Sequence, residues 1–494
     1  MARKQRAGKT PRRSRRQPTV LTTNNACFQV LREWFLPDEG IFSQIKFHGN
    51  IKWSPICLVW LALCWAWSES RCLTDAFADA VGMCQKMFGH APLSTYQGFM
   101  GALVAQTPKL LPVLRGVLQQ RLEQLQSRFW CLDGWIPIAF DGSRSTAPRT
   151  QSNEAAFCAD NYGKGKTARY RQKKSKGMRR KNNEKNKSQP QEPQAWITLL
   201  WHMGLRLPWS WRLGPSNSSE RAHVMDMLQT ETFPNNTLFC GDAGFVGYPL
   251  WACLLERGHH FLVRVGANVS LLTEHANFTL EKKGKERFVW CWPKAAFQAQ
   301  QPPLRLRLLR VRVGQTRVWM LTSVLDREKL SAKASVRFYK MRWGIEVQFR
   351  GLKQTLGRAK LRSRKDERLL AELHWSIMAL AVAELLALKE QHEPRSSKSQ
   401  NPDPPPDPVK RSLAETMRAL RRCLRQLEEA PKPGKDLTSQ LRAALTDSYQ
   451  RKSSKRARYR PPNPDKKPLG DPKLRPLDQK EIQKLQQIEA NMAA

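Results

Sequence analysis

Two apolar, strand-like runs in this 494-residue chain each stop at an aspartate. Trp135–Phe140 (WIPIAF) leads into Asp141, and Thr237–Gly241 (TLFCG) leads into Asp242. An ionised carboxylate cannot stay buried and unpaired. A fold that buries these runs must therefore bring each acid to water, a donor or a cation. In open α/β sheets, ligand sites gather where strands end, and two carboxylates at two such ends suit a hard divalent cation. Asp141-Gly142 and Asp242-Ala-Gly are also turn sequences, so each aspartate alone also reads as a turn residue.

Around them the pattern is mixed. Ala195–Trp201, Leu207–Leu213 and His260–Val265 read as further strands, and Ser219–Leu228 and Tyr248–Arg257 as helices between strands. This alternation predicts an α/β core with a mixed sheet. Residues 26–130 read as a helical domain and a candidate DNA-binding one. Leu73–Phe88, a breaker at Gly89–Pro92 and the stretch after Ser94-Thr95 suit either a helix-turn-helix or ordinary helix packing. Lys109–Arg128 reads as a further long helix. The apolar segments Pro55–Trp67 and His374–Leu388 read as buried helices, the first too short to cross a bilayer and the second interrupted by Glu384. The domain expectation is then a disordered basic arm over 1–25, the helical domain over 26–130 and the catalytic core over 131–390. Within the core, 143–193 reads as a disordered basic insertion and 268–318 as a β-rich insertion. A Pro-rich linker over 391–410, a helical segment over 411–447 and a disordered basic tail over 448–494 follow.

Charge points to the partner. The formal net charge is +42. Residues 1–20, 164–187 and 451–480 contribute excesses of eight, eleven and eight, so the remaining body is basic too. That balance makes a bland metabolic enzyme a poor default and favours a polyanion, nucleic acid first. No secretory signal or membrane span is read. Eleven cysteines, an odd number without a C-x-x-C pair, favour reduced, buried thiols over a disulfide framework or a zinc site.

A third element bears on the two aspartates. On a helix, Tyr339, Arg342, Glu346 and Lys353 fall within about 60° of arc, beside an apolar stripe of Phe338, Met341, Ile345, Phe349, Leu352 and Leu356. An i, i+4 ion-pair ladder alone leaves this shared edge against the core unexplained. Gly344 and Gly351 are costly inside a helix, so either a local packing reason exists or the helix breaks there. Three acids suit two-metal phosphoryl transfer, with Asp141, Asp242 and Glu346 as ligands of two Mg2+ or Mn2+ ions. Tyr339, Arg342 and Lys353 then hold the phosphate backbone.

The spacing Tyr339-x2-Arg342-x3-Glu346-x6-Lys353 resembles the Y-x2-R-x3-E-x6-K pattern of DDE transposases of bacterial insertion sequences, in the insertion-sequence family four branch. FCGDAGF (239–245) and IAFDGSR (138–144) resemble the segments around that branch's second and first catalytic aspartates. The resemblance covers roughly 131–390. It implies a ribonuclease H-like fold with Asp141, Asp242 and Glu346 as catalytic acids. It also implies cut-and-paste transposition: cleavage at terminal inverted repeats of double-stranded DNA and transfer to target DNA, by a homodimer in the synaptic complex. It further implies a cytoplasmic, nucleoid-associated bacterial enzyme, with Arg264 in FLVRV (261–265) as a DNA ligand. Trp319 reads as a core residue, with base stacking as its alternative. The rival functions are a catalytically inactive DNA-binding protein derived from a transposase, and a nucleic-acid-coating protein acting through its tails.

Overall fold

The apolar runs pair into one ten-stranded sheet in this computed structural model, which describes residues 24–158, 192–273, 286–393, 404–446 and 469–493 apart from 37, 38, 50, 52 and 126. The strands are β1 (Ile136–Thr146), β2 (Gln194–His202), β3 (Leu207–Gly214), β4 (Thr237–Gly241), β5 (His260–Val265), β6 (Ser270–Thr273), β7 (Glu286–Cys291), β8 (Leu304–Val313), β9 (Thr316–Thr322) and β10 (Lys473–Pro476). Their order is β10-β6-β7-β8-β9-β5-β4-β1-β2-β3. β1, β2 and β3 form an antiparallel meander, while β4 and β5 lie parallel to β1 on its other side. This is the mixed α/β sheet expected from the sequence. The β-rich segment after β5 extends the same sheet, because β9 pairs antiparallel with β5 and β8 and β7 follow outward.

Period-2 alternation sends β1 side chains to two different cores. Ala139 belongs to the core on one face, and Ile138 and Phe140 to the core on the other. The first face is covered by the helix Asp366–His392, whose interior positions from Leu369 to Leu388 are almost all buried. That helix is long and apolar enough to cross a membrane, but 89% of its apolar window is buried inside the protein. The N-terminal helices share this core: Trp60, Leu63, Phe99, Leu103 and Leu114 belong to it with Trp375 and Leu380. Trp67 donates its indole N–H to the Ala379 carbonyl at 2.8 Å, and Trp375 donates to Thr107 Oγ1 at 2.8 Å. Residues 26–130 are therefore built around the same core as one face of the sheet, with Pro55–Trp67 a buried helix within it.

Several boundaries differ from the sequence reading. The helix expected over 109–128 starts at Tyr96 and runs unbroken to Gln124 through Pro108 and Pro112. Its face of Leu103, Leu110, Leu114 and Leu118 is buried, so packing offsets the lost backbone donors. Leu73–Phe88 and this helix meet across Gly89, at φ 72°, and both pack into the shared core. The insertion over 143–193 begins later than expected. β1 continues to Thr146 and a short helix spans Gln151–Phe157, while 159–191 lie outside the described residues. The tail expected to be disordered over 448–494 contains β10, paired parallel with β6, and the helix Gln479–Ala493. Leu477, Leu485 and Ile488 pack on the second core, which gives that segment an apolar reason to dock. The basic arm through residue 23, residues 394–403 of the Pro-rich linker and tail residues 447–468 also lie outside the described residues. Trp319 is 8% exposed and donates to Asp471 Oδ1 at 2.6 Å, in keeping with a core residue.

Candidate active site

Asp141 does not close its strand. It pairs with Leu199 of β2 in the middle of β1, because Gly142–Thr146 continue the antiparallel ladder. Its other neighbour stops short. β4 pairs with β1 from Ile136↔Thr237 to Ala139↔Cys240. Carried two residues further, that register sets Asp242 opposite Asp141. The β4–β5 register ends at Gly241↔Val263 and, one residue further, sets Arg264 opposite Asp242. Asp141, Asp242 and Arg264 thus form a row across three parallel strands. Neighbouring strands are about 4.8 Å apart. Asp242 Oδ1 accepts the Gly244 N–H at 2.7 Å, which turns the chain immediately after the acid.

Glu346 reaches this row from a helix that is not continuous. Ala332–Arg342 is one helix, Gly344–Arg350 a second, and Gly351–Thr355 a π-helical turn. The two glycines have a packing cause. A Cβ at Gly344 would sit 2.1 Å from the Trp201 ring, and one at Gly351 would sit 2.3 Å from Leu413 Cδ2. Phe338, Ile345, Phe349 and Leu352 bury the inner face. Arg342, 10% exposed in its side chain, links the acids: its guanidinium is 3.5 Å from Asp141 Oδ2 and 3.9 Å from Glu346 Oε1. Lys353 donates to Ser143 Oγ at 2.7 Å, two residues from Asp141 on the same strand face. Burial lowers the Lys353 pKa from its ordinary value. Arg264 Nη1 donates to the Tyr339 hydroxyl at 3.4 Å. The structure therefore joins Asp141, Glu346 and Arg342 through close charges, Asp242 and Arg264 to Asp141 by strand register, and Lys353 through Ser143. Tyr339 meets the set through Arg264.

Glu220 was not apparent in the sequence. It lies in the first turn of the helix Glu220–Thr230, capped by Ser219, and an acid there is ordinary. Its carboxylate occupies the space beside Gly142: a Cβ at that glycine would lie 2.1 Å from Oε1. Burial, then the charges of Asp141 and Asp242, push the Glu220 carboxyl up to about 7. Burial is also the main cause that raises Asp141 to about 6, with Asp242 and Glu346 adding to it against Arg342 and the Gly142 N–H. Negative charge at this end of the sheet exceeds what Arg342 neutralises. The donors are carboxylate oxygens, the chemistry a hard cation takes, so the residues fit divalent metal. Among the described residues, no three acidic, histidine or cysteine side chains converge as a finished metal cluster. Arg342 stands between Asp141 and Glu346 instead.

Residues 137–382 match the family model for the transposase DDE domain. The match spans β1 to the core helix and includes Asp141, Asp242, Arg264, Tyr339, Arg342, Glu346 and Lys353. It supports a transposase function. No curated protein matches the chain. Among solved structures, the chain is similar to a piggyBac transposase in a synaptic complex with hairpin DNA, at 12% identity and a TM-score of 0.36 over 88% of this chain and 89% of that one. The matched segment contains strands β2 to β9, most of β1, and Asp141, Asp242 and Glu346. Helices before residue 137 and the segment after 382 lie outside it.

Proposed function

We propose that this protein is a DNA transposase that binds terminal inverted repeats and performs metal-dependent cut-and-paste cleavage and strand transfer, as a homodimer in the synaptic complex. The observation that carries the reading is the row Asp141–Asp242–Arg264, with Glu346 brought to it through Arg342, inside the matched transposase DDE domain. The net charge of +42 suits a polyanionic substrate.

Asp141, Asp242 and Glu346 are the residues that would hold two Mg2+ or Mn2+ ions. When bound, these ions supply activation of a water or 3′-hydroxyl and neutralisation of charge at the leaving oxygen. The protein's own groups do the rest. Arg342 holds the carboxylates of Asp141 and Glu346 in position. Lys353 and Arg264 present cations beside the acids, where a scissile phosphate needs neutralising contacts. Tyr339 fixes the Arg264 guanidinium. The Asp242–Gly244 turn sets the second carboxylate.

The test is cleavage of a labelled duplex carrying the inverted repeats that flank the gene, with Mg2+ or Mn2+. Wild type is expected to nick at the repeat end, and Asp141→Ala, Asp242→Ala and Glu346→Ala to lose cleavage while keeping DNA binding. Cleavage that persists in all three overturns the site. Binding without cleavage in wild type favours an inactive descendant.

A further inference from the structure

Beyond Ser143, β1 does not simply end. Thr146 and Lys360 form a parallel bridge, Thr146 N donates to Ala359 O at 3.0 Å, and Leu361 N donates to Thr146 O at 2.8 Å. Thr150 Oγ1 donates to the Arg364 carbonyl at 2.7 Å, and Ser152 Oγ to Asp366 Oδ1 at 2.5 Å, both at the same sequence offset of 214. Residues 144–152 and 358–366 are therefore tied together at Thr146, Thr150 and Ser152 with one sequence offset, as a ribbon leading away from Asp141. Its basic residues other than Arg149 divide into two groups. Arg358 is buried against Ser376 Oγ at 2.7 Å and near Glu372, and Arg362 donates to the Ser70 carbonyl at 2.8 Å. These two anchor the ribbon to the core. Lys360, Arg364 and Lys365 are exposed and form no ion pair among the described residues; Arg144, also exposed, lies over the Trp196 ring at 4.1 Å. Lys353 on Ser143 begins the line.

We propose that this ribbon is a phosphate track: Lys360, Arg364 and Lys365 hold the DNA backbone next to the segment at the acids. The inference rests on the transposase reading and specifies which surface carries the duplex. A row of exposed cations without acidic partners, continuous with an acid-lined site, fits a polyanion with regularly spaced charge, and duplex DNA carries one negative charge per 3.4 Å along each strand. Thr146 is hydrogen-bonded to Ala359 and Leu361, and the buried Arg358 and half-buried Arg362 are tied to Ser376 and the Ser70 carbonyl, so the backbone that carries the exposed cations is held in place. Such contacts add affinity without reading sequence.

The test is fluorescence anisotropy of the full chain on a 30-base-pair mixed-sequence duplex, titrated at KCl from about 50 to 200 mM. Two triple variants each remove three exposed charges: K360Q/R364Q/K365Q on the ribbon, and K329Q/K432Q/K435Q elsewhere. Each lost phosphate contact lowers the slope of log affinity against log salt by about 0.9. The ribbon variant is therefore expected to lose about 2.7 of slope, so wild type loses about 40-fold more affinity than the variant across that salt range. The control triple is expected to keep most of its slope. Equal slopes for the two triples, with wild type binding tightly, overturn the track and leave the transposase reading standing. Wild type that shows no salt-dependent binding overturns both. Unchanged thermal unfolding of the variants excludes misfolding as the cause.

Discussion

The Glu220 carboxylate fills the space where a side chain at Gly142 would be, with Oε1 2.1 Å from the position of a Cβ. This glycine lets a fourth carboxylate stand against the Asp141–Asp242 pair. Because the obstacle is the far end of a flexible side chain, Gly142→Ala should fold with stability within about 1 kcal/mol of wild type. Glu220 should move away from its like-charged neighbours, and its carboxyl should titrate closer to the ordinary range. NMR titration of the Glu220 carboxyl reads this shift, and an unchanged titration contradicts the crowding.

At Gly344 the obstacle is the buried Trp201 ring, which also donates to Gln348 Oε1 at 3.3 Å on the Glu346-bearing helix. The ring cannot swing aside into a packed core, so Gly344→Ala should cost about 1–3 kcal/mol, as overpacking does. It should also displace Glu346. Urea unfolding measures the first effect, and loss of metal-dependent cleavage the second. A fully stable, active variant contradicts this account of Gly344.

Glu384 sits in the apolar core helix because it accepts from Gln348 Nε2 at 2.7 Å, with the Arg411 and Arg206 charges nearby. Burial raises its pKa from the ordinary value, chiefly by desolvation. Glu384→Ala leaves the buried Gln348 amide without its acceptor and should cost about 1–3 kcal/mol. Glu384→Gln keeps an acceptor and should cost less. Denaturant midpoints of the two variants decide it, and equal losses point to packing rather than the hydrogen bond.

Asp141 at about 6 and Glu220 at about 7 bind protons more tightly in the folded protein than in the unfolded chain. Their contribution to stability is therefore fully present below about pH 4 and is lost as pH rises through about 6 and 7. Thermal unfolding in EDTA from pH 4.5 to 7.5 should show this fall in wild type and much less of it in the double variant Asp141→Asn/Glu220→Gln. A divalent cation binds the ionised acids, so Mn2+ should raise the melting temperature more at pH 7.5 than at pH 5. The opposite order contradicts the acids as its ligands.

Strands were legible where apolar runs stand alone: β4 and β5 have the bounds read from the sequence, and β2 and β3 differ by one or two residues. Asp141 was misplaced at a strand end because Gly142–Thr146 are polar and small. Their strand character comes from pairing with Gln194–Thr198 of β2, which no local pattern reveals. The two costly glycines lie where the helix is interrupted, but the side chains that require them, Trp201 and Leu413, are distant in sequence. Glu220 escaped notice because an acid after a Ser cap at a helix start needs no special explanation. The Pro- and Lys-rich composition hid β10, a strand whose four side chains are all exposed and whose partner is the backbone of β6.

That pairing gives synthesis a timetable. Thr273 at the edge of β6 meets the Arg475 carbonyl across 202 residues of chain. At the usual pace of translation, about 5–20 residues per second, the outer rim of the sheet stays open for roughly 10–40 s after β6 has emerged. A nascent chain with an unpaired rim is a target for chaperones and for a neighbouring nascent copy.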